Sequence, residues 1–412
     1  MSVRSGKSTH VVPHILIIGG GFAGTAAARE LADSTDANIT LISNKTYFEY
    51  YPAFHRVVTG AKPVEVCFPL DDVLPKGIDV VNDTITSIDL ENKTVRGKSG
   101  NTYAGDYVIF AMGSQTSYFD LPGIEQNSFG FKSIAEAAQL KEHIKKLFEN
   151  LGNKHAEKPR DLVSKFRIVI VGGGPTGVEV AGDLSSYMKL LAGYFGVDPS
   201  FVSIELIDRG SRLISSAHPG ASAAALKRLR KLGVNIFLNR EVVSHEVQEL
   251  LMGDMSLETR TVIWTAGTVV NDLYRQTSGF TFTLKKRVKV NNYLEAEKAD
   301  GTPYQGCYVV GDGAGTPFSG LAQTAIFDGG FVARDIAIQI KMGAKNKPRQ
   351  SSRLPYIAKP IDYIIPIGRD WAIMSFGGGR WYMSGFVAYV IRAVVDFMYF
   401  AKMLPLRKLL RF

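Results

Sequence analysis

His14-Ile-Leu-Ile-Ile-Gly-Gly-Gly-Phe-Ala-Gly24 decides the fold. His14 to Ile18 is an apolar, β-branched run, the composition of a parallel strand buried on both faces. It runs straight into Gly19-Gly-Gly-Phe-Ala-Gly24, and an Ala-rich helical stretch follows through Leu31. Ile39-Thr-Leu-Ile42 then returns as a second strand. Strand, GxGxxG, helix and strand within about 30 residues is the setting in which this motif binds a dinucleotide. Gly19, Gly21 and Gly24 let the backbone approach a pyrophosphate. Phe22 and Ala23 open the helix whose N-terminus offers N–H donors and a favourable dipole.

One part of the fingerprint is missing. The second strand ends in Ser43-Asn44-Lys45, where an acid usually holds the ribose hydroxyls. Ser43 or Asn44 can hydrogen-bond ribose less strongly, and Lys45 can lie against adenine or phosphate; the alternative is a plain loop.

A second copy follows. Phe166 to Val171 repeats the strand pattern and enters Gly172-Gly-Gly-Pro-Thr-Gly177. Gly172, Gly174 and Gly177 take the glycine roles, Pro175 and Thr176 start the helix, and Glu179 lies two residues past the last glycine. The returning strand, 202–207, ends in Asp208, placed to accept both ribose hydroxyls and to repel a 2′-phosphate. That favours NADH, with NADPH still admitted because Arg209 is next door. One dehydrogenase needs one such unit. Two in one chain fit an enzyme that binds FAD and a nicotinamide, since both carry a pyrophosphate.

Composition removes other classes. The 412 residues allow two or three domains, and the 41 glycines cluster in short turns after apolar runs. Cys67 and Cys307 are remote from each other and match no metal-ligand spacing, so no metal is expected and a reducing compartment is. The first 14 residues lack the apolar core of a secretory signal; a short mitochondrial presequence is the alternative. The net charge of +9 suits an anionic membrane rather than nucleic acid here, because Lys402, Arg407, Lys408 and Arg411 gather at one end. No Ser-His-Asp set is evident, and the seven histidines receive no role.

Three further apolar strands end in small residues: Tyr107 to Gly113, Val262 to Ala266-Gly267, and Tyr308 to Asp312. In this order, over roughly residues 11 to 340, they resemble the two-dinucleotide-binding-domain flavoprotein superfamily. The resemblance implies an α/β fold with two Rossmann-like domains and a C-terminal membrane-associating region. An FAD-binding domain would cover 11–126 and 300–345, an NAD(P)H-binding domain 127–299, and a membrane-anchoring or dimerisation region 346–412. Gly113 and Ala266-Gly267 would mark chain crossings between domains, Asp312 would hydrogen-bond the flavin ribitol, and Pro52 is assigned to the cofactor site. Disulfide reductases of this superfamily carry a close cysteine pair in the stretch that here reads Tyr47 to Gly60, without cysteine. Disulfide reduction is therefore excluded, and Cys67 and Cys307 are read as packing residues.

Gly172 to Gly182, Ala322-Gln-Thr-Ala325 and Pro366 to Trp371 are similar to the type II (non-proton-pumping) NADH:quinone oxidoreductases. That resemblance implies hydride transfer from NADH to FAD and two-electron reduction of a quinone. Glu179 would lie near the nicotinamide–flavin contact, relaying a proton or orienting the ring, or else form an ion pair near a helix start. Gln323 would hydrogen-bond a quinone carbonyl or the flavin edge. Two departures stand out: Phe327 replaces a second glutamine, where it can stack on the quinone instead, and Ser43 replaces the acid.

From Gly385, apolar residues recur at helical spacing, with Arg392 and Asp396 four apart on the other side. Two internal charges oppose spanning a bilayer. An interfacial helix with a basic tail on anionic lipid is expected, at the cytoplasmic face of the cell membrane or, in a eukaryote, the mitochondrial inner membrane. The alternative is a helix packed on its own core or in a homodimer. Competing functions are a reductase of a ferredoxin- or rubredoxin-like carrier, a sulfide:quinone oxidoreductase-like enzyme, and an NADH-responsive flavin sensor related to apoptosis-inducing factor.

Overall fold

The computed structural model describes residues 12–149, 158–246, 248–253, 255–343, 353–360, 362–405 and 408. The chain forms two compact units: Met1–Phe48, Pro69–Ser114 and Val270–Lys359 make the first, and Glu49–Phe68, Gln115–Val269 and Pro360–Phe412 the second. The helices that matter below are α1 (Phe22–Ser34), α2 (Phe54–Val58), α3 (Pro175–Phe195), α4 (Ala322–Gly343) and α5 (Phe386–Met403).

In the first unit, His14–Ile18 pairs in parallel with Asn38–Ser43 on one side and Tyr107–Phe110 on the other. Ile78–Asn82 extends one edge; Pro303–Val309 and the antiparallel strand Glu295–Glu297 extend the other. Ile15, Leu16 and Ile17 have no exposed surface, as a strand covered on both faces requires. One face packs Leu16, Ile18, Val108 and Phe110 with Tyr274, Phe280, Val288 and Cys307. Because Tyr274, Phe280 and Val288 complete this core, residues 270–299 fold with the first glycine loop and not with the second, where the sequence boundaries placed them. Helix α4 runs along α1.

In the second unit, the parallel order is Val234–Phe237, Ser203–Ile207, Arg167–Val171, Thr261–Trp264. An antiparallel sheet of Tyr363–Pro366, Ala372–Phe376 and Trp381–Gly385 packs on α3, on the helix Pro219–Leu232 and on α5. The contact on α3 is close: a Cβ at Gly182 would stand 2.7 Å from the Gly368 backbone nitrogen. Residues 360–412 therefore join the second unit instead of forming a separate region. The expected boundary at 345/346 lies outside the described residues. The chain passes between units after Ser114 and after Val269, close to Gly113 and Gly267.

Among the described residues no helix is long and apolar enough to cross a membrane. Helix α5 exposes Phe386, Val387, Val390, Val394, Phe397 and Met398. On its other side Ala388 is buried, and the Arg392 Nε donates to both Asp396 oxygens at 2.9 Å. Two other aromatics of the helix pack inward: Phe400 is buried against Tyr50 and Phe68, and Tyr399 stacks on Tyr50. Lys402 is exposed, while Arg407 and Arg411 of the basic tail lie outside the described residues.

Candidate active site

The glycine loops repeat each other in their backbone. Gly19 and Gly172 both have φ +114, a conformation that L side chains rarely adopt. The Gly19 N–H donates to Ile42 O and the Gly172 N–H to Ile207 O, each at 2.8 Å. A Cβ at Gly24 would stand 1.9 Å from Gly19 O, and one at Gly177 1.9 Å from Gly172 O. Neither α1 nor α3 has a side-chain N-cap or an acid in its first turn. A Cβ at Gly21 or Gly174 would meet nothing within 4 Å. An uncapped helix end behind open backbone fits the pyrophosphate of a dinucleotide. Phe22 is buried edge-on against Phe48, and Ala23 is buried too, so both shape the loop from behind.

At the end of the second strand the loops part. Asp208 accepts from the Gly173 N–H at 2.5 Å and the Gly210 N–H at 2.6 Å. Ser43 occupies the corresponding place, its Oγ 3.0 Å from where a Gly20 Cβ would be, and it accepts from the Lys45 N–H at 3.2 Å. Asn44 is exposed. Asp208, Gly172 to Gly174, Ala266 and Gly267 line a cleft of about 580 Å³, a common size for a small-molecule site. Pro175 is the first residue of α3, and Thr176 is half-buried beside it. Arg209, Arg212, Arg240 and Phe119 also line the cleft. Except for Arg209, sequence reasoning missed these, because isolated arginines and aromatics carry no spacing signal.

In the first unit, Gly113 has φ +68 with open space where a Cβ would be. Asp312 is buried in the turn Gly311–Gly313 and accepts from Ser114 Oγ at 2.5 Å; Arg287 donates to its backbone carbonyl. Beneath it, buried Asp328 accepts from the Gly311 N–H at 3.1 Å and from the Tyr356 hydroxyl at 2.7 Å. Burial, with Asp312 adding to it, pushes the Asp328 carboxyl up to about 7. Gln323 is exposed in the first turn of α4. Phe327 is half-buried near Tyr356, with the Lys359 ammonium 4.8 Å from its ring centre.

Glu179 is buried on α3. Asp183, one turn on, bonds His55 of α2, Nδ1 to Oδ2 at 2.7 Å. Arg392 of α5 also donates to the carbonyls of Ile364 at 2.9 Å and Pro52 at 3.4 Å, so Pro52 serves this cluster in the second unit. The Tyr50 hydroxyl donates to Asp396 at 2.6 Å. Burial pushes Glu179 up to about 7, against the opposing pull of the His55 and Arg392 cations. Burial opposes charge on His55, but Asp183 and Glu179 outweigh it and the net shift is upward. Sequence reasoning singled out Glu179 and the Arg392–Asp396 pair but not His55, Asp183 or Tyr50.

Cys307 is fully buried, its thiol pushed up to about 12 by burial. A thiol held neutral is a poor nucleophile, which fits a packing role. Among the described residues no group of three or more His, Cys, Asp or Glu side chains is arranged to hold a metal ion.

The chain is similar to the type II NADH:quinone oxidoreductase NdhA of Mycobacterium tuberculosis, 29% identical over 97% of this chain and 86% of that protein. It is 27% identical to the demethylphylloquinone reductase NdbB of Synechocystis, over 94% of this chain and 92% of the relative. In fold it is similar to NDH2 from Plasmodium falciparum in complex with NADH, with TM-score 0.83 and 16% identity over 96% of this chain and 95% of that one. The sulfide:quinone oxidoreductase of Aquifex aeolicus follows at TM-score 0.73 and 19% identity, over 95% and 92%. Residues 13–329 match the family described as pyridine nucleotide-disulphide oxidoreductase, and the chain belongs to that family.

Proposed function

We propose that this protein is a membrane-surface NADH:quinone oxidoreductase of the type II, non-pumping class, using FAD. The observation that carries it is Glu179, a carboxyl buried on the helix that leaves the second glycine loop, one turn from the Asp183 that holds His55. Quinone reduction consumes protons as well as electrons, and such a group suits that chemistry.

Bound FAD supplies a two-electron relay between nicotinamide and quinone. Gly19, Gly21 and Gly24 would admit its pyrophosphate, Ser43, Asn44 and Lys45 would lie toward its ribose and adenine, and Asp312 would accept from its ribitol, with Gly113 contributing backbone. Gly172, Gly174, Pro175, Thr176 and Gly177 do the same for NADH, Asp208 binds its ribose, and Ala266-Gly267 border the nicotinamide. Glu179 holds a proton at its carboxyl, Gln323 donates to a quinone carbonyl, and Phe327 offers an aromatic face. Sulfide oxidation would need reactive paired thiols, and the buried Cys307 does not suit that role.

Helix α5 would lie in the membrane interface, on the cytoplasmic face of the cell membrane or the mitochondrial inner membrane. Its outward apolar side chains are roughly half exposed, and covering each contributes on the order of 1 kcal/mol. Turning Arg392 and Asp396 inward leaves lipid no charge to desolvate on that face. The same face is the candidate homodimer surface.

Steady-state NADH oxidation with a panel of acceptors tests the reading. Rapid turnover with a soluble quinone analogue is expected. Turnover only with a ferredoxin- or rubredoxin-like carrier, or flavin reduction with no fast acceptor, would overturn it.

A further inference from the structure

The cluster around Glu179 is more elaborate than a single proton carrier requires. Glu179 and Asp183 are four residues apart on α3 and so share a face of it. His55 comes to them from α2, and its Nδ1 is held by Asp183 at 2.7 Å. A carboxylate only accepts, so Nδ1 carries the hydrogen and Nε2 is the atom that takes up or releases a proton. From α5, Arg392 acts on Glu179 while bonded to Asp396, which also accepts from Tyr50. Three cations on the other helices packed on α3 have partners of their own; Lys145 of Ile134–Glu149 bridges Glu149 at 3.3 Å. Lys141 of Ile134–Glu149 donates to the Gly60 and Ala61 carbonyls, and Arg228 of Pro219–Leu232 to those of Ile367 and Arg369.

We propose that His55, held by Asp183 one helical turn from Glu179, is a positioning residue that governs how readily Glu179 gives up and regains its proton. This rests on the quinone reductase reading above. NADH, one proton and a quinone become NAD⁺ and a quinol. The hydride carries both electrons and one hydrogen, and Glu179 supplies the other hydrogen from its carboxyl O–H, then regains it from solvent. Burial without a counterweight would hold that proton too tightly to give up. A cation beside the carboxyl weakens the hold, and the anion left after release strengthens the imidazole's grip in return. The two groups thus share charge through the cycle, and neither is left uncompensated in a buried setting.

Infrared titration of the holoenzyme carrying isotope-labelled glutamate tests this without turnover. A protonated carboxyl band assigned to Glu179 should vanish near neutrality, and in His55→Gln it should persist to a pH about one unit higher. His55→Lys, which restores a cation, should bring the midpoint back down. The alkaline limb of kcat with a soluble quinone analogue should move with the band. An unmoved midpoint in His55→Gln, or a band that survives Glu179→Gln, would overturn the inference. Should His55→Gln not fold, the near-isosteric Glu179→Gln carries the test by NMR, where the His55 midpoint should fall; an unchanged midpoint again overturns it. No quinone turnover at all defeats the functional reading, whereas turnover with unmoved midpoints defeats this inference alone.

Discussion

Gly19 and Gly172 share φ +114, and the Cβ positions of Gly24 and Gly177 stand equally close to their loop carbonyls, yet the following strand ends in Ser43 in one loop and Asp208 in the other. The shared backbone answers a shared requirement, close approach to a pyrophosphate. The side chains answer different ones. A cofactor that stays bound can be secured by many contacts across its length, and the first unit supplies the Asp312, Ser114 and Asp328 network. A substrate that enters and leaves each cycle is better selected at one point, and Asp208, held by the Gly173 and Gly210 N–H groups, is the residue proposed for that role.

The largest test breaks one copy at a time. Gly24→Val should yield protein without visible flavin absorbance, its FAD affinity down by roughly 100-fold or more, because the side chain collides with Gly19 O. Gly177→Val should keep its flavin and lose reduction by NADH to a similar degree. Equal flavin loss in both would mean the loops do not divide the cofactors as assigned.

Next comes the acid that the second copy carries two residues past its last glycine, where the first copy has Ala26. Burial raises Glu179 from the ordinary 4.5 to about 7, so the folded chain binds this proton more tightly than the unfolded chain. Its stabilising contribution is fully present below about 4.5 and is lost as pH rises through about 7. Glu179→Gln removes that loss. Between pH 5 and pH 8 the variant should gain about 2.5 kcal/mol on the wild type, read by denaturant titration.

Smaller effects refine the strand ends. Asp208→Asn should raise KM for NADH about tenfold with kcat nearly unchanged, since it weakens uniform binding. Ser43→Asp, which copies the second loop into the first, should tighten FAD by only a few-fold, measured by flavin release. A large gain there would show that the first site depends on its strand end after all.

Both Rossmann sheets were legible because strand, glycine turn and helix are local patterns with a fixed physical cause. Gly19, Gly172 and Asp208 could be read from motif and spacing, whereas Asp312 came only from the family resemblance. The division of the chain was not legible, since it depends on Tyr274, Phe280 and Val288 filling a core whose other half lies far away in sequence. His55 and Asp183 escaped for a related reason: 128 residues separate them, and neither stands in a motif. The inward turn of Arg392 and Asp396 was readable from helical period, but Phe400 was not, because only the fold brings it to Tyr50 and Phe68.

The apolar side of α5 also governs how this protein behaves in the hand. With Phe386, Val387, Val390, Val394, Phe397 and Met398 outward and the helix's ion pair turned in, little on that face opposes self-association in plain buffer. Extraction should therefore depend on detergent far more than on salt, because high ionic strength weakens charge attraction but strengthens apolar adhesion.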